Sequence, residues 1–163
     1  MKKAETKSAE AQLDRFLDAF TPEIAALARV ALTTMRKRLP HAIELVYDNY
    51  NALACGFGPT EKTSEAIFSI AVFPKNVSLF FLQGAALPDA KGLLQGEGNV
   101  VRYIRLEDED TLDRADVKAM MATASKMADV PFDKKTEYKM VIKSVSAKQR
   151  PRRPPPVKTT KKK

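Results

Sequence analysis

The stretch "AIFSIAVFPKNVSLFFLQ" (66–83) consists of two apolar runs separated by Pro74, Lys75 and Asn76. Both runs are rich in β-branched and aromatic residues and are apolar on both faces, as expected of strands flanked closely on each side. A short polar break containing proline makes the pair a hairpin. Such a hairpin belongs at the centre of a sheet, and the rest of the chain should build outward from it.

On its N-terminal side, "IELVYDNYNALACGF" (43–57) reads as one further strand. Ile43, Leu45 and Tyr47 alternate with Glu44, Val46 and Asp48, and Gly56, Gly58 and Pro59 end the pattern. Two helices should precede it. Leu13, Phe16, Leu17 and Phe20 recur at helical spacing. The second helix opens at Thr21-Pro22-Glu23, with threonine as cap, proline in the first turn and an acid at the positive end of the dipole. Its apolar stripe is Ile24, Leu27, Ala28, Ala31 and Met35, and Arg36, Lys37 and Arg38 occupy the last turn before Pro40.

On the C-terminal side, a glycine-containing loop leads to a strand expected over 99–106. A helix follows, with Asp110 and Asp113 placed as a capping box and Val117, Met120, Met121 and Ala124 as its buried stripe. Last, "TEYKMVIKSV" sets Tyr138, Met140 and Ile142 against Lys139, Val141 and Lys143, which suits an edge strand. The order ααβββ-loop-βαβ predicts an α+β fold, a mainly antiparallel sheet of about five strands with the helices packed on it. The expected domain spans 10–146, after a disordered 1–9.

The 28 basic and 20 acidic residues are distributed unevenly. Lys148, Arg150, Arg152, Arg153, Lys158, Lys161, Lys162 and Lys163 fall in 147–163, which has no acid, leaving 20 bases against 20 acids in the preceding residues. The body is neutral and the excess charge belongs to a proline-rich tail, expected to be disordered. That tail could bind nucleic acid nonspecifically through phosphate contacts. The composition shows no apolar run of membrane-spanning length and a lone cysteine, Cys55, so the expected location is the cytoplasm and no internal disulfide can form.

"KGLLQGEGNVVRYIRLEDED" (91–110) looks at first like a phosphate loop. Its glycines precede a strand rather than a helix, Gly98 is followed by Asn99, and Val101 stands where a dinucleotide fingerprint needs glycine. The glycines instead allow the chain to turn. Arg102 and Arg105 should point to opposite sheet faces and pair with Glu44, Asp48 or Glu107, or line an anion cleft.

The long stretch from Ile43 to Ala85, followed by "LLQGEGNVVRYIRL" (93–106) and a short amphipathic helix, resembles the YdhG-like family, a domain of unknown function. The resemblance covers roughly 20–127, and its most specific element is the run Gly96, Gly98, Val101, Arg102, Ile104 and Leu106. It implies a small cytosolic α+β domain. A frataxin-like iron-chaperone role has been proposed for one branch of the family, so the resemblance makes iron a possible cargo.

An iron site would need hard oxygen ligands, and Glu109, Asp113 and Asp116 are the candidates, although acids there also suit helix capping. His41 is the only histidine, which removes histidine-based metal sites and leaves Cys55 without an evident base. The polar run Tyr47-Asp48-Asn49-Tyr50-Asn51 is out of character for a strand. Together with Gln83 and Arg102, the residues Tyr47, Asn49 and Tyr50 form the expected ligand site. The reading that results is a non-enzymatic module for a small polar or anionic ligand or a metal ion. The alternative is a nucleic-acid-associated protein acting through its tail.

Overall fold

The computed structural model describes residues 2–154. Three helices, α1 (Lys2–Asp18), α2 (Pro22–Arg38) and α3 (Ala115–Met127), accompany six strands. The strands are β1 (Ile43–Asp48), β2 (Leu53–Gly58), β3 (Phe68–Val72), β4 (Val77–Phe81), β5 (Arg102–Arg105) and β6 (Lys139–Val145). They form one sheet in the order β5-β4-β3-β2-β1-β6. Every neighbouring pair is antiparallel except β1 with β6, which run parallel. The fold is therefore α+β with a mixed, mainly antiparallel sheet.

The hairpin β3–β4 forms as expected, and β6 is an edge strand as its lysines suggested. The α2 cap also forms, with the Thr21 hydroxyl accepting from the Ile24 amide at 3.4 Å. Two expectations about boundaries need correction. The stretch 43–57 is a hairpin rather than one strand, because the Asn49 amide donates to the Ala52 carbonyl and closes a turn. That adds the sixth strand. Residues 2–9, expected to be disordered, are helical, since Ala9 is buried and the Thr6 hydroxyl accepts from the Met140 amide.

Alternation divides the sheet into two faces. One carries Val46, Leu53, Cys55, Phe57, Phe68, Ile70, Val72, Val77, Leu79 and Phe81, all buried. Leu13, Leu17, Leu32, Met35, Val117 and Met121 from the helices join the same core. The other face has small residues at its centre, Ala54, Gly56, Ser69, Ala71 and Ser78, together with Leu45 and the stacked Phe80 and Tyr103 rings. The segment 59–66 crosses part of it: the position of a Gly56 Cβ lies 3.8 Å from the Ala66 Cβ. Lys139 pairs with Glu61 at 2.9 Å on the same side.

Candidate functional site

The five residues expected to share a pocket do not converge. Across the sheet Tyr47 is in register with Ala54, Ala71, Ser78 and Arg105. Arg102 is in register with Phe81, Phe68, Phe57 and Glu44, which places it on the opposite face. Four strand spacings, about 19 Å, also separate β1 from β5. The Tyr47 hydroxyl is shared with Thr63, and Asn49 and Tyr50 belong to the β1–β2 turn. Arg102 donates to the Gly98 and Val101 carbonyls, so it braces its own loop.

The loop before β5 is the corner its glycines suggested, although Gly96 and Gly92 supply the positive φ angles and Gly98 does not. Asp89 folds the approach by accepting from the Leu93 and Leu94 amides, both at 2.8 Å. Gly84 permits a close crossing, since a Cβ there would lie 2.5 Å from the Arg102 Cβ.

Two of the acids expected to pair with the β5 arginines, Glu44 and Asp48, have other partners. Glu44 is fully buried on β1 and accepts from Arg36 Nε at 2.8 Å, Arg36 Nη2 at 3.1 Å and the Tyr138 hydroxyl at 2.6 Å. Burial opposes the Arg36 charge, but the Glu44 carboxylate outweighs it and holds the guanidinium protonated. Burial first, then the Glu44 charge, push the Tyr138 phenol well above its ordinary range. Cys55 is raised by the same causes in the same order, so its thiol is a poor nucleophile. His41 is a turn residue whose Nδ1 meets the Thr136 carbonyl at 3.0 Å.

The acidic run also differs from expectation. Asp113 pairs with Arg38 and Asp116 with Arg114, at 3.0 and 2.7 Å. Asp110 makes no side-chain cap bond; it is Asp116 that accepts from the Val117 amide at the start of α3. The Arg114 side chain beside Asp116 holds that carboxyl below its usual range. Among the described residues no group of three or more histidine, cysteine or acidic side chains is placed to hold a metal ion. Glu109, Asp113 and Asp116 therefore do not assemble the expected site.

The basic segment is partly folded onto the body. Asp48 pairs with Arg152 at 2.9 Å, and both side chains are buried. Arg153 donates to the Ala19 and Asp18 carbonyls, and the Arg150 amide to the Tyr50 carbonyl. The expected disordered tail is thus docked through Arg153, because the polar β1–β2 turn offers carbonyls and a carboxylate. Lys148 is exposed. Lys158, Lys161, Lys162 and Lys163 lie outside the described residues.

A cavity of about 340 Å³ opens beside the β4 end that pairs with Arg102, between β3, β4 and the C-terminal end of α3. Ile67, Phe81, Leu87 and Ala124 make its apolar floor, and Met127 and Val130 stand exposed at its mouth. Gln83, the one expected site residue that reaches it, lines one wall, with Glu65 and Asp129 as its charged lining groups. Glu65 is held by the Thr60 hydroxyl at 2.6 Å. Sequence reasoning missed the cavity. Its signal was the small Ala124 and Ala128 at the end of α3, where larger side chains would fill the space.

No protein-family model, curated protein or solved structure matches the chain. Among the described residues no helix is long and apolar enough to cross a membrane.

Proposed function

We propose that the chain is a non-enzymatic, YdhG-like binding module of the cytoplasm whose ligand is a small amphipathic molecule. The observation that carries this reading is the cavity, whose size falls within the usual range for small-molecule sites, ~300–1,000 Å³, with few polar groups over an apolar floor. The lining moves the expected ligand from anionic to neutral or cationic. No basic side chain lines it; Glu65 is paired with Lys62 at 3.9 Å, and Asp129 with the carbonyl end of α3 at Met127 supplies the negative charge. Gln83 supplies a donor and an acceptor to orient a polar end. The buried Cys55 thiol and the paired Glu44 lie outside this cavity and lend no chemistry to it.

Native mass spectrometry of the freshly purified protein tests this. A bound small molecule is expected, and its loss from Ala128→Phe, a substitution at the half-buried cavity wall, is expected without a change in melting temperature. A ligand retained by that variant contradicts the assignment.

A second reading, nonspecific binding to nucleic acid through the C-terminal segment, is favoured by the eight basic residues without an acid over 147–163.

A further inference from the structure

Between the β1–β2 turn and the corner joining α1 to α2, one guanidinium fills a gap in the body. Arg152 is the one buried residue of 147–153, at 7% exposure, while its neighbours are exposed. Its Nη2 donates to Asp48 Oδ1 at 2.9 Å and to the Asn49 carbonyl, and its Cζ lies 5.4 Å from the centre of the Phe20 ring. Contacts on its N-terminal side align the segment: the Ser146 backbone amide and the Gln149 side-chain Nε2 both donate to the Asp48 carbonyl, at 2.8 and 3.1 Å. Pro151 and Pro154 flank the two arginines, fixing φ at their own positions and limiting Arg153, which precedes Pro154.

Two features oppose the docking of Arg152. Arg152 Nη1 is buried without a partner among the described residues. A buried donor left in that state opposes the docking. Burial also lowers the pKa of Arg152 by more than Asp48 raises it, so the charge is held at a net disadvantage.

We infer that Asp48, Asn49 and Phe20 form an arginine socket that holds the C-terminal segment closed and competes with nucleic-acid phosphates for Arg152 and Arg153. The carboxylate and carbonyls stand where phosphate oxygens would, and one guanidinium cannot serve both in the same geometry. In the closed form Arg152 and Arg153 are both engaged on the body. Opening adds two arginines to the binding segment.

The inference rests on the second reading above, and the experiment separates the two. The full-length protein, Asp48→Asn and Arg152→Ala are titrated with a fluorescent 20-nucleotide oligothymidine at several salt concentrations, with amide exchange followed in parallel. In Asp48→Asn the Ser146 and Arg150 amides are expected to exchange faster. Affinity should rise about tenfold at low salt, and the log–log salt slope should steepen by about 1.4, for two added phosphate contacts at ~0.7 each. In Arg152→Ala only Arg153 is released, and the slope should steepen by about 0.7. Equal affinity and slope in the parent and Asp48→Asn overturn the socket as a gate while leaving the second reading standing. Absence of binding by all three proteins overturns both. Loss of amide protection throughout β1 and β2 in both variants would show a structural staple and also overturns the gate.

Discussion

Replacing Arg36 with methionine should expose the energetic role of the polar network under α2. The Glu44 side chain is fully buried, while Arg36 is 29% exposed, so the pair lies at the boundary of the core. Removing one member of a buried pair costs ~3–5 kcal/mol, because the remaining charge stays desolvated. Partial exposure of Arg36 admits water and moves the expected loss to the low end, about 3 kcal/mol. Methionine preserves most of the packing, so the loss is electrostatic rather than steric. At ~2–4 °C per kcal/mol for a chain of this size, the melting temperature should fall by roughly 6–12 °C. Glu44→Gln in the same background removes the charge and keeps an acceptor for the Tyr138 hydroxyl. It should restore about 2 kcal/mol. Urea unfolding followed by circular dichroism, with an unchanged m-value, is the assay. A loss below about 0.5 kcal/mol for Arg36→Met, or no recovery on adding Glu44→Gln, refutes the reasoning.

Gly84→Ala should destabilise by ~1–3 kcal/mol, since its Cβ would meet the Arg102 Cβ at 2.5 Å and the Arg102 amide nitrogen at 2.9 Å. Gly98→Ala meets nothing within 4 Å and should be neutral within about 0.5 kcal/mol in the same unfolding assay. Anaerobic titration with ferrous iron should give the same result for the parent and for Asp113→Asn with Asp116→Asn; a weaker response in the variant would restore the acidic run as a metal site. Stability should fall as pH rises past about 8.5, because the unfolded thiol ionises there while the folded Cys55 thiol, raised by burial, does not. The folded state then holds the extra proton, so its advantage is present below the unfolded pKa and is lost above it. Tyr138 adds the same effect near pH 10. Cys55→Ala should flatten the first part of that decline in pH-dependent urea midpoints.

What could be read from the sequence was local. The α2 cap is announced by Thr21-Pro22-Glu23, and the β3–β4 hairpin by two apolar runs with a proline break. The β1–β2 turn was missed because its residues carry no positive φ, so no glycine was needed at Asn49–Ala52 to mark it. Tyr50 and Asn51 then read as an irregular strand interior. The first turns of α1 are lysine- and glutamate-rich, and what orders them is a distant contact, Thr6 with the Met140 amide.

The site was hidden for a different reason. Whether Tyr47 and Arg102 meet depends on strand order and on the parity of four successive registers, neither of which is local information. The unusual polar run at 47–51 did mark a special place, but its occupant is the chain's own Arg152. Nothing in composition separates Arg152 from Arg150 or Arg153; only the fold buries one of the three. Gln83, expected beside Tyr47 and Arg102, instead lines a cavity whose other walls come from α3 and the segment 64–67.

The central claim, that the cavity beside Gln83 takes a small neutral or cationic amphipath, is tested most directly by a methyl-resolved NMR titration with benzylamine and with benzoate. Benzylamine is expected to shift the methyl signals of Ile67, Leu87, Ala124 and Met127 saturably, with Gln83→Ala weakening the effect, while benzoate leaves them unmoved. Binding of benzoate as tightly as benzylamine, or no response of these methyls to either probe, would contradict the account.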